Sequence, residues 1–300
     1  MALAAAAART AGTTLLLSRR AQQDALPAGV TLARNEAEVG ERARLVVLAV
    51  PSGVAREVAR SLGAHLGGGH FVVHGVRGLV GDAMETIADV VRDETPVRRL
   101  GALGGPALAS ELAAGLPGVM VCGSRYPEVN RAVREVFNSA TLRLSTTSDL
   151  LGLEWASALV GCLAIAVGYA RGVRLGPGLL AAVITRAVEE AASIAAAAGG
   201  EERTLLGLAG YGDLLASIAQ TERPEVLLGE ALAAGKTLEQ ALVGAGQRVE
   251  AVDLTARVVA WAAQNGVDAP MFAALSHGIL AGGSRDALVA ELMAGPLSEG

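Results

Sequence analysis

Residues 45–50 read Leu-Val-Val-Leu-Ala-Val, an apolar run with no polar break. A strand with one wet face alternates apolar with polar residues. An unbroken run therefore marks a strand covered on both faces, as in a parallel sheet wrapped by helices. Candidate strands recur at 13–17, 45–50, 71–73, 99–103, 119–123 and 141–144. Helical stretches such as 53–62 and 82–92 fall between them. That alternation predicts an α/β fold with a doubly wound parallel sheet.

After Asp149 the rhythm changes. The stretches 152–172, 179–198, 203–221, 224–234, 238–245, 251–265, 269–281 and 284–294 all favour helix, most of them separated by glycine-containing punctuation. Leu159, Leu163, Ala166 and Ala170 form a small-residue stripe at helical spacing, which predicts a helix buried on several sides. The expected organisation is an α/β domain over 1–148 and an all-helical domain over 149–300.

Hydrophobic residues make up 52% of the chain and aromatics only 3%, so the core must be built from Ala, Val and Leu. The net charge of −5, with scattered arginines, argues against a nucleic-acid surface. Cys122 and Cys162 are far apart in sequence and read as buried thiols of a cytoplasmic protein. No metal-ligand spacing is present. The four histidines, His65, His70, His74 and His277, read as loop or surface residues. The apolar N-terminal run, broken by Arg9, reads as a helix rather than a signal peptide. No membrane span is expected.

A dinucleotide site in such a fold needs a strand, a G-x-G-x-x-G loop and a helix whose amino end faces the pyrophosphate. Here the helix is the first element, so the sheet is expected without its first strand. Two readings stand: translation starts upstream of Met1, or the loop has been lost and NAD(P)H binding is weak. At the end of the following strand, Ser18, Arg19 and Arg20 replace the acidic residue that would bind ribose hydroxyls. Guanidiniums suit a 2′-phosphate, so NADP is the expected cofactor, with NAD as the alternative. A solvated loop is the plain alternative for these residues.

Several segments in order carry a family likeness. They are Val47-Leu48-Ala49-Val50-Pro51-Ser52, Gly75-Val76-Arg77-Gly78-Leu79, Gly104-Gly105-Pro106-Ala107-Leu108-Ala109 and Leu151-Gly152-Leu153-Glu154. Then come Ala182-Val183-Ile184-Thr185-Arg186, Gly207-Leu208-Ala209-Gly210-Tyr211-Gly212-Asp213-Leu214 and Gly246-Gln247-Arg248-Val249-Glu250. Together they resemble the bacterial NAD(P)-dependent glycerol-3-phosphate dehydrogenases, with a Rossmann-like domain first.

The resemblance implies a small phosphorylated substrate and a set of roles. Pro51, Ser52, Ala109 and Glu250 fall at cofactor positions, Gly105 at a substrate position, and Arg223 within one residue of the family's phosphate-clamping arginine. Asp213 and Ser217 fall at polar site positions. Arg77 replaces a strand-end lysine, Ala107 a serine, and Val160 the lysine that exchanges the proton with substrate. The only lysine in the chain, Lys236, lies in a later turn. Each retained residue also has a structural reading: Asp213 as a helix cap, Glu250 as a first-turn acid, Arg77 as a surface charge, and Arg186 as a packing or interface residue.

Two functions follow. One is a glycerol-3-phosphate dehydrogenase relative with impaired catalysis, a pseudoenzyme acting as a homodimer or beside an active paralogue. The other is an active NADP-dependent dehydrogenase of a related small hydroxy or oxo acid, with Arg77, Asp213 and Ser217 as catalytic residues.

Overall fold

The computed structural model describes residues 1–18, 26–220, 222–245 and 249–282. The chain divides into two compact units, Met1–Val80 with Glu85–Glu154, and Gly81–Met84 with Trp155–Gly300.

In the first unit, β3 (Leu45–Leu48), β4 (Phe71–His74), β5 (Arg99–Gly104), β6 (Gly118–Gly123) and β7 (Leu142–Thr147) form a five-stranded sheet in that order. A separate parallel pair joins β1 (Thr14–Leu16) and β2 (Val30–Leu32). Among the described residues no ladder links the two sheets. The expectation of an all-parallel sheet needs one correction, because β5 and β6 run antiparallel. Between them lies only the six-residue helix α5 (Ala109–Ala114). It rises about 9 Å, too little to carry the chain back along strands of about 20 Å.

The N-terminal run is a helix, α1 (Ala2–Ala11), with Ala5 to Ala8 buried. Ala6 and Ala7 enter a core containing Phe71, Leu103, Met120, Val129 and Phe137. Arg9 donates to the Leu112 and Ala113 carbonyls at the carboxyl end of α5. Helices α2 (Glu36–Arg42), α3 (Ser52–Gly63), α4 (Ile87–Glu94) and α6 (Pro127–Phe137) complete this unit. β2 and α2 escape the sequence pattern, since a three-residue strand is too short for a period to register. The stretch expected to be helical from residue 82 becomes α4 only at Ile87. Thr86 and Asp89 form a capping box there, and Val80 bridges Glu85 upstream.

The second unit is helical. It holds α7 (Leu150–Gly172, from Trp155 onward), α8 (Pro177–Ala197), α9 (Glu202–Leu206), α10 (Asp213–Ala219), α11 (Pro224–Ala233), α12 (Leu238–Gly244), α13 (Ala251–Gln264) and α14 (Pro270–Ala273). By length and composition α7 could cross a membrane, but 89% of its most apolar window is buried, so it is a core helix. Trp155 packs on Trp261 with ring centroids 4.8 Å apart. The backbones of α7 and α11 meet at two glycines. A Cβ on Gly168 would lie 2.1 Å from the Val226 carbonyl oxygen, and one on Gly229 would lie 2.1 Å from that of Ile165. Two expected helices change character. The span 203–221 breaks into α9, a π-helical turn (Leu208–Gly212) and α10, and the span 269–281 becomes α14 followed by a π-helical segment (Ala274–Leu280). The helix expected at 284–294 lies outside the described residues. Cys122 and Cys162 are buried free thiols, and burial pushes both up to about 12.

Candidate functional site

Ligands of open α/β sheets gather at the carboxyl ends of the strands. After β3 the chain turns at Pro51, the N-cap of α3, and Ser52 opens the helix. The first turn of α3 holds no acidic residue, and the space over Gly53 is open. A polar or anionic ligand group suits that positive helix end. After β4, Arg77 is half-buried and its Nη2 donates to the Gly105 carbonyl at 3.5 Å, a long bond. Gly105 has φ +91°, a conformation that glycine adopts without strain. Ala109 is exposed at the start of α5, and Ser18 is exposed just beyond β1. Arg19 and Arg20 lie outside the described residues.

The same strand end corrects the reading of His74 as a loop or surface residue. It is the last residue of β4 and only 3% exposed. Its Nε2 lies 2.9 Å from Oε1 of Glu154, itself 4% exposed, and that oxygen also accepts the Ala88 N–H at 2.8 Å. His70 is likewise partly buried, bonded to Gly40 and Gly67, whereas His65 and His277 are exposed. A polar residue closing the apolar run Phe-Val-Val at the carboxyl edge of a covered sheet is the signal that could have marked His74. Glu154 lies within a quoted family segment, yet nothing in its neighbourhood in sequence points to the residue it binds.

In the second unit, Val160 is 2% exposed in the middle of α7. The glycine-rich segment 207–212 widens into the π turn, closed by an N–H to carbonyl bond from Gly212 to Gly207 of 3.0 Å. Such widened turns recur at functional sites. Asp213 follows directly. It is not the helix cap, because Gly212 occupies that position without a side chain. Instead Asp213 Oδ1 accepts from Arg223 Nη1 at 3.2 Å. Ser217 Oγ accepts from the same Nη1 and donates to the Asp213 carbonyl at 2.9 Å. Arg223 Nε reaches Glu225 at 3.2 Å. The structure thus gathers Asp213, Ser217 and Arg223 into one buried network. Pro224 opens α11, and Glu250 is the half-buried N-cap residue of α13. Among the described residues, no group of three or more His, Cys, Asp or Glu could hold a metal.

The architecture is a Rossmann-like α/β unit followed in the chain by a helical unit. The models for the N-terminus and the C-terminus of NAD-dependent glycerol-3-phosphate dehydrogenase match residues 12–130 and 149–289. Glycerol-3-phosphate dehydrogenase [NAD(P)+] of Anaeromyxobacter sp. (strain K) is 33% identical over 272 residues, 89% of this chain and 82% of that protein. The enzyme of the same description from Moorella thermoacetica is 36% identical over 233 residues, 76% of this chain and 68% of the relative. The crystal structure of glycerol-3-phosphate dehydrogenase from Coxiella burnetii superposes with a TM-score of 0.88 at 25% identity, covering 98% of this chain and 95% of that one. The chain belongs to the bacterial NAD(P)-dependent glycerol-3-phosphate dehydrogenase family.

Proposed function

We propose that this protein binds the family's ligands, dihydroxyacetone phosphate and sn-glycerol 3-phosphate, but interconverts them poorly. The observation that carries this is Val160, an apolar side chain buried in α7 at the position where the family likeness calls for a proton-exchanging lysine. When bound, a nicotinamide cofactor supplies or takes the hydride. The protein's share is to hold the substrate and move the hydroxyl proton. Valine moves none. Arg77 keeps a positive charge near a developing alkoxide, but a guanidinium does not exchange a proton at neutral pH. Loss of general acid–base work costs about 10²- to 10⁴-fold.

In this reading Gly105 and Arg223 face the phosphorylated substrate. Ser18, Arg19, Arg20, Pro51, Ser52, Ala109 and Glu250 hold the cofactor, NADP before NAD. The segment 1–148 carries the dinucleotide, while 149–300 carries the substrate and the self-association surface. A cytoplasmic location agrees with two buried cysteines kept as thiols. The assembly is a homodimer or a pairing with an active paralogue. The alternative, an active dehydrogenase of a small hydroxy or oxo acid, would route the proton through Asp213. Its engagement by Arg223 and the neighbouring Ser217 favours a holding role instead.

Steady-state reduction of dihydroxyacetone phosphate with NADPH tests the proposal. Turnover should fall at least about 100-fold below ordinary enzyme rates of roughly 1–10³ s⁻¹. Val160→Lys alone should not restore it, because Arg77 and Ala107 also depart from the family pattern. Wild-type turnover in the ordinary range would sink the reading.

A further inference from the structure

The segment between β4 and α4 carries Arg77 and has little regular support of its own. Gly78, Gly81 and Met84 have φ of +152°, +63° and +56°, the last in a residue that rarely adopts it. Its middle is held by the bridge between Val80 and Glu85, through backbone bonds of 2.8 and 3.0 Å, by Arg257 Nη1 donating to the Gly81 carbonyl at 2.7 Å, and by Arg56 paired with Glu85 at 2.9 Å. Both ends meet one atom. Glu154 Oε1 takes the imidazole of His74, the last residue of β4, and the N–H of Ala88 in the first turn of α4. Because a carboxylate oxygen can only accept from the amide, the same oxygen in its ionised form receives Nε2–H from His74. His74 Nδ1 is then a lone pair, buried and without a partner.

We propose that Glu154 is a positioning residue: its carboxylate staples the two ends of segment 75–87 and thereby sets where Arg77 stands against the Gly105 carbonyl. The inference rests on the reading of Arg77 as substrate-facing. His74 supplies the second arm and is not itself a catalytic residue, since it is covered on all sides. Charge-assisted bonds of this type are about twice as strong as neutral ones, so one carboxylate can hold both ends. The positive end of α4 adds to its stability there.

Amide hydrogen exchange on the full ligand-free chain tests the staple, with Glu154→Ala and Glu154→Gln as the pair of variants. Glutamine keeps an oxygen that can accept from both donors; alanine keeps nothing. In Glu154→Ala, Ala88 and the amides of 75–87 should exchange about tenfold faster or more, while β3 and β5 stay unchanged. Glu154→Gln should return them to within about threefold of wild type. Acceleration spread evenly through the first unit, or no change at Ala88, overturns the proposal. If Glu154→Ala does not fold, His74→Leu decides. It should loosen the start of the segment and leave Ala88 protected, and unchanged exchange at 75–80 counts against the staple. Binding of dihydroxyacetone phosphate separates this inference from the function it rests on. Glu154→Ala should weaken binding about tenfold, as Arg77→Ala does, with rescue by Glu154→Gln. If Arg77→Ala leaves binding untouched while the exchange pattern holds, the substrate-facing reading fails and the staple stands. Loosened exchange with unchanged binding in Glu154→Ala alone overturns the link to Arg77.

Discussion

Glu190 shows how one buried carboxyl can tie stability to pH. It lies in α8, and its two oxygens accept the Met271 and Phe272 N–H groups at 2.8 Å each, capping the start of α14. Burial pushes its carboxyl up to about 7; the two N–H bonds and Arg186 oppose the rise, and Asp268 adds to it. A carboxyl raised in the folded state favours folding most when protonated. Its contribution is present below the ordinary carboxylate value and is lost as pH rises through about 7. Urea unfolding should therefore show stability falling between about pH 5 and pH 8, by on the order of 2–3 kcal/mol. Glu190→Gln should flatten that slope. A wild-type curve as flat as the variant's would show that Glu190 does not titrate there. The same scale explains why a helix cap stood as the structural alternative for Asp213. Its neighbours in sequence offer a helix start, and only folding brings Arg223 to it.

At the scale of elements, the crossing of α7 and α11 depends on two missing side chains. The spacing of Gly168 and Gly229 lets backbone meet backbone, and a methyl at either would overlap a carbonyl oxygen. Gly168→Ala and Gly229→Ala should each destabilise by about 1–3 kcal/mol, despite the higher helix propensity of alanine. Gly178→Ala, in the first turn of α8 with open space around it, serves as the control and should be neutral or slightly stabilising. Thermal unfolding of the three variants checks this, and equal melting temperatures would mean that the helices can separate without cost. The π turn before Asp213 belongs to this scale as well. Its glycines in sequence mark a weak helix, but the choice of a wider turn over a loop depends on packing: a Cβ on Gly210 would lie 2.1 Å from the Leu205 carbonyl oxygen.

For the whole molecule, the arginine bias leaves Lys236 as the single side-chain amine, and it is exposed between α11 and α12. Reductive methylation can therefore alter only Lys236 and the terminal amine. Such treatment should leave dihydroxyacetone phosphate binding and residual turnover within about twofold, because no lysine performs the proton transfer in the proposed scheme. Loss of either on methylation would mean that Lys236 serves the site after all.

The sequence by itself determined the class of fold. Unbroken apolar strands, amphipathic helices and the switch to an all-helical second half are local periodicities, and burying those faces leaves few architectures. The family pattern was equally legible, because residue identity at ordered motifs needs no coordinates. What only the tertiary structure decided are pairings between residues remote in the chain. The antiparallel step from β5 to β6 is one, the Asp213–Arg223 pair another. The clearest is His74 with Glu154, 80 residues apart, where a histidine that reads as surface is buried against a carboxylate. The physical reason is that burial makes a polar group seek a partner, and which partner lies within reach is set by packing, not by spacing along the chain.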